Sequence, residues 1–291
     1  MFIILNMESS QISSQILGKT LSYHDTHCHL EMLLTKLKLS DNSAGIDTIS
    51  ELLQNHQFAL QSTVSTSNFL EVYELFQNIH KVKYFLGSHP EIVNNDFDIE
   101  DYLVQQQLYI TKHSIKNKII GIGEIGLDYH YTQDTKLNEI QKKLFESQII
   151  LAISLDLPIM IHCREAFGDV LEILGRYPQI HNKFLIHCFT GGVSELVGIL
   201  KLGGLVAFGG VSTFKSAIGV QEAIKICPLE SFVLETDLPF LAPMPHRGQI
   251  CLPQMIDNIA QKISDLKEIS KESIWQHSLT NTQKLFSKIN D

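Results

Sequence analysis

Eight short apolar or β-branched runs punctuate this chain of 291 residues, each followed by a stretch with helical periodicity, and that alternation constrains the fold most. The runs lie at 22–25, 58–65, 84–86, 119–122, 158–161, 184–186, 205–208 and 232–234. Amphipathic patterns fill the gaps at 48–55, 69–80, 98–113, 138–155, 166–177, 193–202 and 214–226. Strands alternating with helices form parallel β/α units, because a parallel pair needs a long crossover. Eight units in a chain of this length are the number and size of a closed (β/α)8 barrel. The junctions Gly121-Ile-Gly123, Gly203-Gly204 and Gly209-Gly210 fit tight turns beside packed strands. After the eighth run, 252–266 and 271–289 read as closing helices. A doubly wound open sheet is the alternative, but it would normally carry a Gly-rich phosphate loop after the first strand, and none is present. The expected architecture is α/β, with 22–291 as a single TIM-barrel domain. Residues 1–21, rich in Ser and Gln from position 7, read as a flexible N-terminal arm.

A barrel of this kind builds its chemistry at the C-terminal ends of its strands. The first run leads into Tyr23-His24-Asp25-Thr26-His27-Cys28-His29-Leu30. Residues two apart on a strand share a side, so His27 and His29 project together and can hold one borderline divalent metal. Further donors follow later runs: Glu124 the fourth, His162 the fifth, His187 the sixth and Asp237 the eighth. Each has an ordinary role as well. A strand-end His is commonly a hydrogen-bonded turn residue, and a strand-end Asp a helix N-cap. Six coincidences of residue type and position favour the metal reading, and six convergent N and O donors suit two divalent ions sharing a carboxylate.

Bulk properties narrow the class. Hydrophobic residues make up 44% and charged residues 19%, the balance of a soluble globular enzyme. No apolar run approaches the length of a membrane span, about 18 residues. Met1-Phe-Ile-Ile-Leu5 is too short for a signal core and lacks a preceding basic residue, so a cytoplasmic location is expected. The five cysteines are widely spaced, with no Cys-x-x-Cys pair, which excludes a disulfide framework and a thiolate zinc knuckle. Cys28, Cys163 and Cys188 each directly follow a histidine and are expected to face away from it as packing residues. The net charge of −9 disfavours broad coating of duplex DNA, but not a grip on a few phosphates.

Asp25-Thr-His-Cys-His-Leu30, Gly123-Glu-Ile-Gly-Leu-Asp128, His162-Cys-Arg164, His187-Cys-Phe-Thr-Gly191 and Glu235-Thr-Asp-Leu-Pro-Phe-Leu-Ala-Pro243, followed by Pro245-His-Arg-Gly248, resemble the TatD family of metal-dependent deoxyribonucleases. The resemblance runs from about Ser22 to Phe286. It implies a TIM-barrel metal hydrolase related to the amidohydrolases that cleaves DNA phosphodiesters. By motif match, His27, His29, Glu124 and Asp237 would hold one metal, and Glu124, His162 and His187 the other. The ions would be Zn²⁺, Mn²⁺, Mg²⁺ or Co²⁺, since mixed imidazole and carboxylate donors tolerate all four. The chain departs from the family pattern at Glu31, where Asp is usual, and at Gln249-Ile-Cys-Leu252, which replaces a basic and polar run.

The expected nucleophile is a water whose pKa a bound dication lowers towards about 7. Asp237 would orient it and accept its proton, and Glu124 would bridge the ions. Arg164, Arg247 and His89 are candidate phosphate contacts, against ordinary roles as a surface ion pair or turn residue. Lys215 reads as a solvated lysine at a helix start. The expected substrate is DNA at ends or single strands, attacked by a monomer acting as an exonuclease, with no membrane partner. Two rivals stay open: a hydrolase of the same barrel class acting on an amide, lactone or base, and a non-catalytic scaffold keeping a residual metal site. Barrel hydrolases of the first kind often carry a carboxylated lysine on strand four, where this chain has Glu124.

Overall fold

The computed structural model describes residues 22–94, 96–112, 119–130 and 134–290, so the expected arm at 1–21 lies outside the described residues. Eight parallel strands form one sheet in sequence order: β1 Tyr23–Cys28, β2 His56–Gln61, β3 Val82–Phe85, β4 Ile119–Asp128, β5 Ile159–Arg164, β6 Phe184–Ile186, β7 Leu205–Phe208 and β8 Phe232–Leu234. Around them lie α1 Leu30–Lys36, α2 Ser43–Leu52, α3 Thr66–Phe76, α4 Ile99–Thr111, α5 Thr135–Leu155, α6 Phe167–Gly175, α7 Val193–Lys201 and α8 Ile218–Ile226, then α9 Ile256–Lys267 and α10 Lys271–Leu285. This is the (β/α)8 barrel. Among the described residues no helix is long and apolar enough to cross a membrane.

Two-residue alternation sorts each strand into two cores. Phe58, Leu60, Phe85, Met160, Leu185, Ala207 and Val233 fill the barrel interior. Their neighbours Ala59, Tyr84, Ile159, Ile161, Ile186, Val206 and Leu234 face the helices. In β5, Met160 points inward while Ile159 and Ile161 point outward, so His162 returns to the inner face above Met160. The floor of the barrel is closed by Phe286 and Ile289, which follow α10, with Phe286 edge-on to Phe85 at 5.0 Å.

Closure joins β1 to β8 through polar groups. The buried Asp25 carboxylate accepts from the Thr236 N–H at 2.9 Å and the Thr236 hydroxyl at 2.5 Å. The Thr26 hydroxyl donates to the Leu234 carbonyl at 2.9 Å, and the His29 N–H to the Leu238 carbonyl at 2.9 Å.

Several boundaries differ from expectation. β4 runs on through Gly123 to Asp128, so Glu124 sits inside its strand rather than after it, and β5 runs to Arg164, two residues past His162, its expected end. α1, directly after His29, has no counterpart in the periodicity. The expected helix at 214–226 begins only at Ile218, after a 3-10 turn at Gly210–Thr213. The expected 271–289 helix stops at Leu285 and gives way to a 3-10 turn at Ser287–Asn290.

The seam holds a buried base. His24 is 1% exposed, flanked by Phe58 at 5.4 Å and Trp275 at 5.1 Å, with Nε2 at 2.7 Å from the Ser278 hydroxyl. Burial, and then the neighbouring His56, lower its pKa to about 3. The unfolded chain, at about 6.5, therefore takes up a proton that the folded chain refuses, so this group costs stability as pH falls below 6.5. At pH 5 the cost is about 2 kcal/mol. His24→Gln should reduce the loss of unfolding free energy between pH 7 and pH 5 by about that amount in urea titrations. Parallel pH profiles for the two proteins would refute this.

Candidate metal centre

The C-terminal mouth of the barrel gathers donors from five strands. His27 lies on the inner face of β1, and His29 stands just beyond it in the residue before α1, where its side chain makes no cap bond. Glu124 is seated in β4 by close backbone contacts. Gly126 has φ 144°, and a Cβ there would stand 2.0 Å from the His162 carbonyl oxygen. A Cβ on Gly87 would lie 2.3 Å from the Gly123 carbonyl carbon. Side chains at either position would force β3, β4 and β5 apart. His187 stands one residue past β6. Asp237 stands three residues past β8 with φ 59°, its N–H donating to the His27 carbonyl at 3.0 Å. Asp237 begins no helix, so the N-cap role does not apply to it.

The six side chains converge. His27 Nε2 lies 3.1 Å from His29 Nε2, 3.4 Å from Glu124 Oε2 and 3.5 Å from Asp237 Oδ1. His29 Nε2 lies 3.8 Å from Glu124 Oε2 and 3.7 Å from Asp237 Oδ1. Donors about 2.0–2.2 Å from one tetrahedral ion stand about 3.3–3.6 Å apart, and these spacings lie within a few tenths of an ångström of that range. The other carboxylate oxygen serves a second group. Glu124 Oε1 lies 2.8 Å from His187 Nε2 and 2.9 Å from His162 Nδ1. His89 Nε2 approaches the same oxygen at 3.6 Å.

Two further carboxylates stand behind the imidazoles. Asp128 Oδ2 is 2.9 Å from His162 Nε2, and Glu235 Oε1 is 3.5 Å from His187 Nδ1. A carboxylate on the far nitrogen fixes the ring of a metal-binding histidine and raises its basicity. The sequence reading named neither as a site residue. The signal was spacing: Asp128 shares a strand face with Glu124 once β4 is drawn to full length, and Glu235 stands two residues before Asp237.

Cys28 and Cys163 are buried among core residues. Cys188 departs from expectation. It is only partly buried, lies beyond the end of β6 with φ 44°, and its N–H donates to Glu235 Oε1 at 2.6 Å. Alternation fails there because the strand has ended. Burial, then the charges of Asp237, Glu235 and Glu124, raise its thiol pKa, which places it beside the acidic cluster.

The candidate phosphate contacts scatter in depth. Arg164 is half-buried on β5 opposite Asp128 of β4, and its charge bears on Asp128 and Cys188. His89 is buried, and its Nδ1 accepts from the Glu91 N–H at 3.2 Å, which leaves the proton of the neutral ring on Nε2, facing Glu124. Arg247 is exposed and stacks on Phe214 with its guanidinium 4.4 Å from the ring centroid. Lys215 is exposed.

The cluster calls for a cation. Burial works to raise Glu124, but His187, His27 and His89 hold it well below the usual carboxylate range. Burial, with Glu235 and Glu124 nearby, pushes Asp237 up to about 8. His27 is driven well below the ordinary histidine range by burial and then by His187. Burial works to lower His187, but Glu124 and Glu235 hold it well above the ordinary histidine range, so a proton there answers the carboxylates. The nitrogens of His27 and His29 and the oxygens of Glu124 and Asp237 still aim at one point. A divalent ion resolves that conflict, so the donor set fits a metal.

Barrel topology and this donor set together define a metal-dependent hydrolase of the (β/α)8 class. The family model for TatD-related DNases matches residues 24–287. The chain is 34% identical over 265 residues to the uncharacterized metal-dependent hydrolase BU355 of Buchnera aphidicola, covering 90% of this chain and 98% of that one. It is 31% identical over 275 residues to the human 3'-5' RNA nuclease TATDN2, covering 90% of this chain but 35% of that one. Among solved structures, the TatD homologue YJJV of Escherichia coli superposes with TM-score 0.81 at 25% identity, covering 92% of this chain and 99% of that chain. The chain belongs to the TatD-related DNase family.

Proposed function

We propose that this protein is a two-metal nuclease that hydrolyses DNA phosphodiester bonds at ends or in single strands, as an exonuclease acting as a monomer in the cytoplasm. The observation that carries this reading is the division of Glu124, with Oε2 turned to His27 and His29 and Oε1 to His162 and His187. A carboxylate shared in this way spaces two ions for in-line displacement at phosphorus. His27, His29, Glu124 and Asp237 would hold one ion, and Glu124, His162 and His187 the other.

When bound, the ions lower the pKa of a water and offset charge on the phosphoryl oxygens. Asp237 Oδ1, at 3.5 and 3.7 Å from the nitrogens of His27 and His29, accepts the proton that the attacking water gives up. The water oxygen bonds to phosphorus as the bond to the leaving oxygen breaks, and that oxygen takes up a proton. Asp128 holds the ring of His162 in place, and Glu235 stands behind that of His187 at 3.5 Å. Arg164 supplies a planar, permanently charged donor set for a phosphate, and His89 an N–H at its edge.

The RNA nuclease activity of human TATDN2 makes RNA the second candidate substrate. A chelator followed by re-addition of single divalent metals, assayed on labelled single-stranded DNA, duplex DNA and RNA, tests the reading. Cleavage of single-stranded DNA should vanish on stripping and return with metal. Turnover of an amide or lactone, with none of the three nucleic acids cleaved, would overturn it in favour of the other hydrolase class.

A further inference from the structure

The loop after β8 carries an apolar surface that the hydrolytic machinery does not use. Phe240, Leu241 and Met244 are 41%, 37% and 38% exposed, three large apolar side chains outside within five residues. This loop is firmly held. The Phe240 N–H donates to the Asp237 carbonyl at 2.9 Å, the Cys251 N–H to the Pro239 carbonyl at 3.0 Å and the Met244 N–H to the Thr213 hydroxyl at 2.8 Å. Gly210 lies so close beneath that a Cβ there would stand 1.7 Å from the Leu241 carbonyl oxygen. A ring presented to solvent on a rigid backbone is poised for a ligand, since little freedom remains to be lost on binding.

Its position says which ligand. The Phe240 ring stands edge-on to His29 with centroids 6.2 Å apart, so the apolar surface begins one side chain from the metal donors. The charge around it is poor for holding a polyanion. Beyond the ions at the site, Gln249-Ile-Cys-Leu252 adds no cation. Arg247 sits on Phe214 at the neighbouring loop and Arg164 lies half-buried. An unpaired base stacked on an aromatic ring adds affinity that needs no charge and tolerates any sequence.

We propose that Phe240 is a stacking platform for the unpaired base of the nucleotide at the scissile phosphodiester, and so selects single-stranded ends over duplex. This rests on the nuclease reading above. Bases in a duplex have their faces covered by neighbours and cannot lie on the ring without being unstacked.

The test compares two single-stranded oligonucleotides, one with a normal terminal nucleotide and one abasic there, on the metal-loaded protein. Phe240→Ala should lower kcat/KM on the normal substrate by about tenfold to a hundredfold, mainly through KM. Phe240→Trp should restore it. Wild type should lose the same factor on the abasic substrate, and Phe240→Ala should lose nothing more. Because Phe240 is exposed, Phe240→Ala should unfold at the wild-type temperature. Equal effects of Phe240→Ala on the two substrates, including no effect on either, would overturn the platform while leaving the nuclease reading intact. A wild type that cleaves neither oligonucleotide would overturn the nuclease reading, and the platform with it.

Discussion

Asp237→Asn is expected to lower the phosphodiesterase rate by at least about a hundredfold while the barrel stays folded, the usual range for losing a general base. Asn has almost the same size and shape and accepts the backbone conformation, for Asp and Asn are the residues that most readily adopt positive φ after Gly. The N–H of residue 237 would still reach the His27 carbonyl, so the closure between β1 and β8 remains. What is lost is the carboxylate that faces His27 and His29, the group proposed to take the proton of water. Single-turnover assays at saturating metal, with thermal unfolding as control, would read the effect. Wild-type turnover in a folded Asp237→Asn protein would remove Asp237 from the mechanism.

Glu124→Gln is expected to have the second large effect, and to act first on metal content. Its carboxylate lies 2% exposed in β4 between two groups of histidines, and each oxygen faces one group. Gln preserves shape and one acceptor but puts an amide N–H where an acceptor is needed, and removes the negative charge. Mutations in outer-shell partners already weaken metal sites by about 10–100-fold, so loss of a shared inner carboxylate should exceed that. After dialysis, elemental analysis should find the variant well below the wild-type metal ratio, with phosphodiesterase activity lost. The fold should persist, because the imidazoles around residue 124 can all be neutral. Full metal content and wild-type turnover would show that no ion depends on Glu124.

How much of this was legible in the sequence depended on the local signal. β6, β7 and β8 lie where the apolar runs placed them, since each run is short and ends at a change of residue type. The sequence ends β4 at Ile122 because Gly121-Ile-Gly123 reads as a tight turn, yet β4 continues through Gly123 and Gly126 to Asp128. In the structure they are strand glycines, placed where β4 lies against the backbone of β5, and the distance to the His162 carbonyl exists only after folding. The six donors could be named because motif and strand position coincided. Asp128 and Glu235 could not, because a carboxylate behind a histidine is recognised only when the ring between them has a direction. Cys188 was misread because alternation was extended past the end of a strand. The bond from Thr236 to Asp25 joins residues 211 apart and left no local trace.

The donors come from the whole length of the chain: His27 and His29 from its start, Glu124 from its middle and Asp237 from near its end, with Phe286 and Ile289 sealing the floor below. During synthesis, then, the full donor set cannot exist before β8 is made, because Asp237 follows all the other donors in the chain. On the proposed mechanism the site is complete only once β8 meets β1. A product that stops short of β8 lacks Asp237 and should be silent, so hydrolysis would report that the ring has closed.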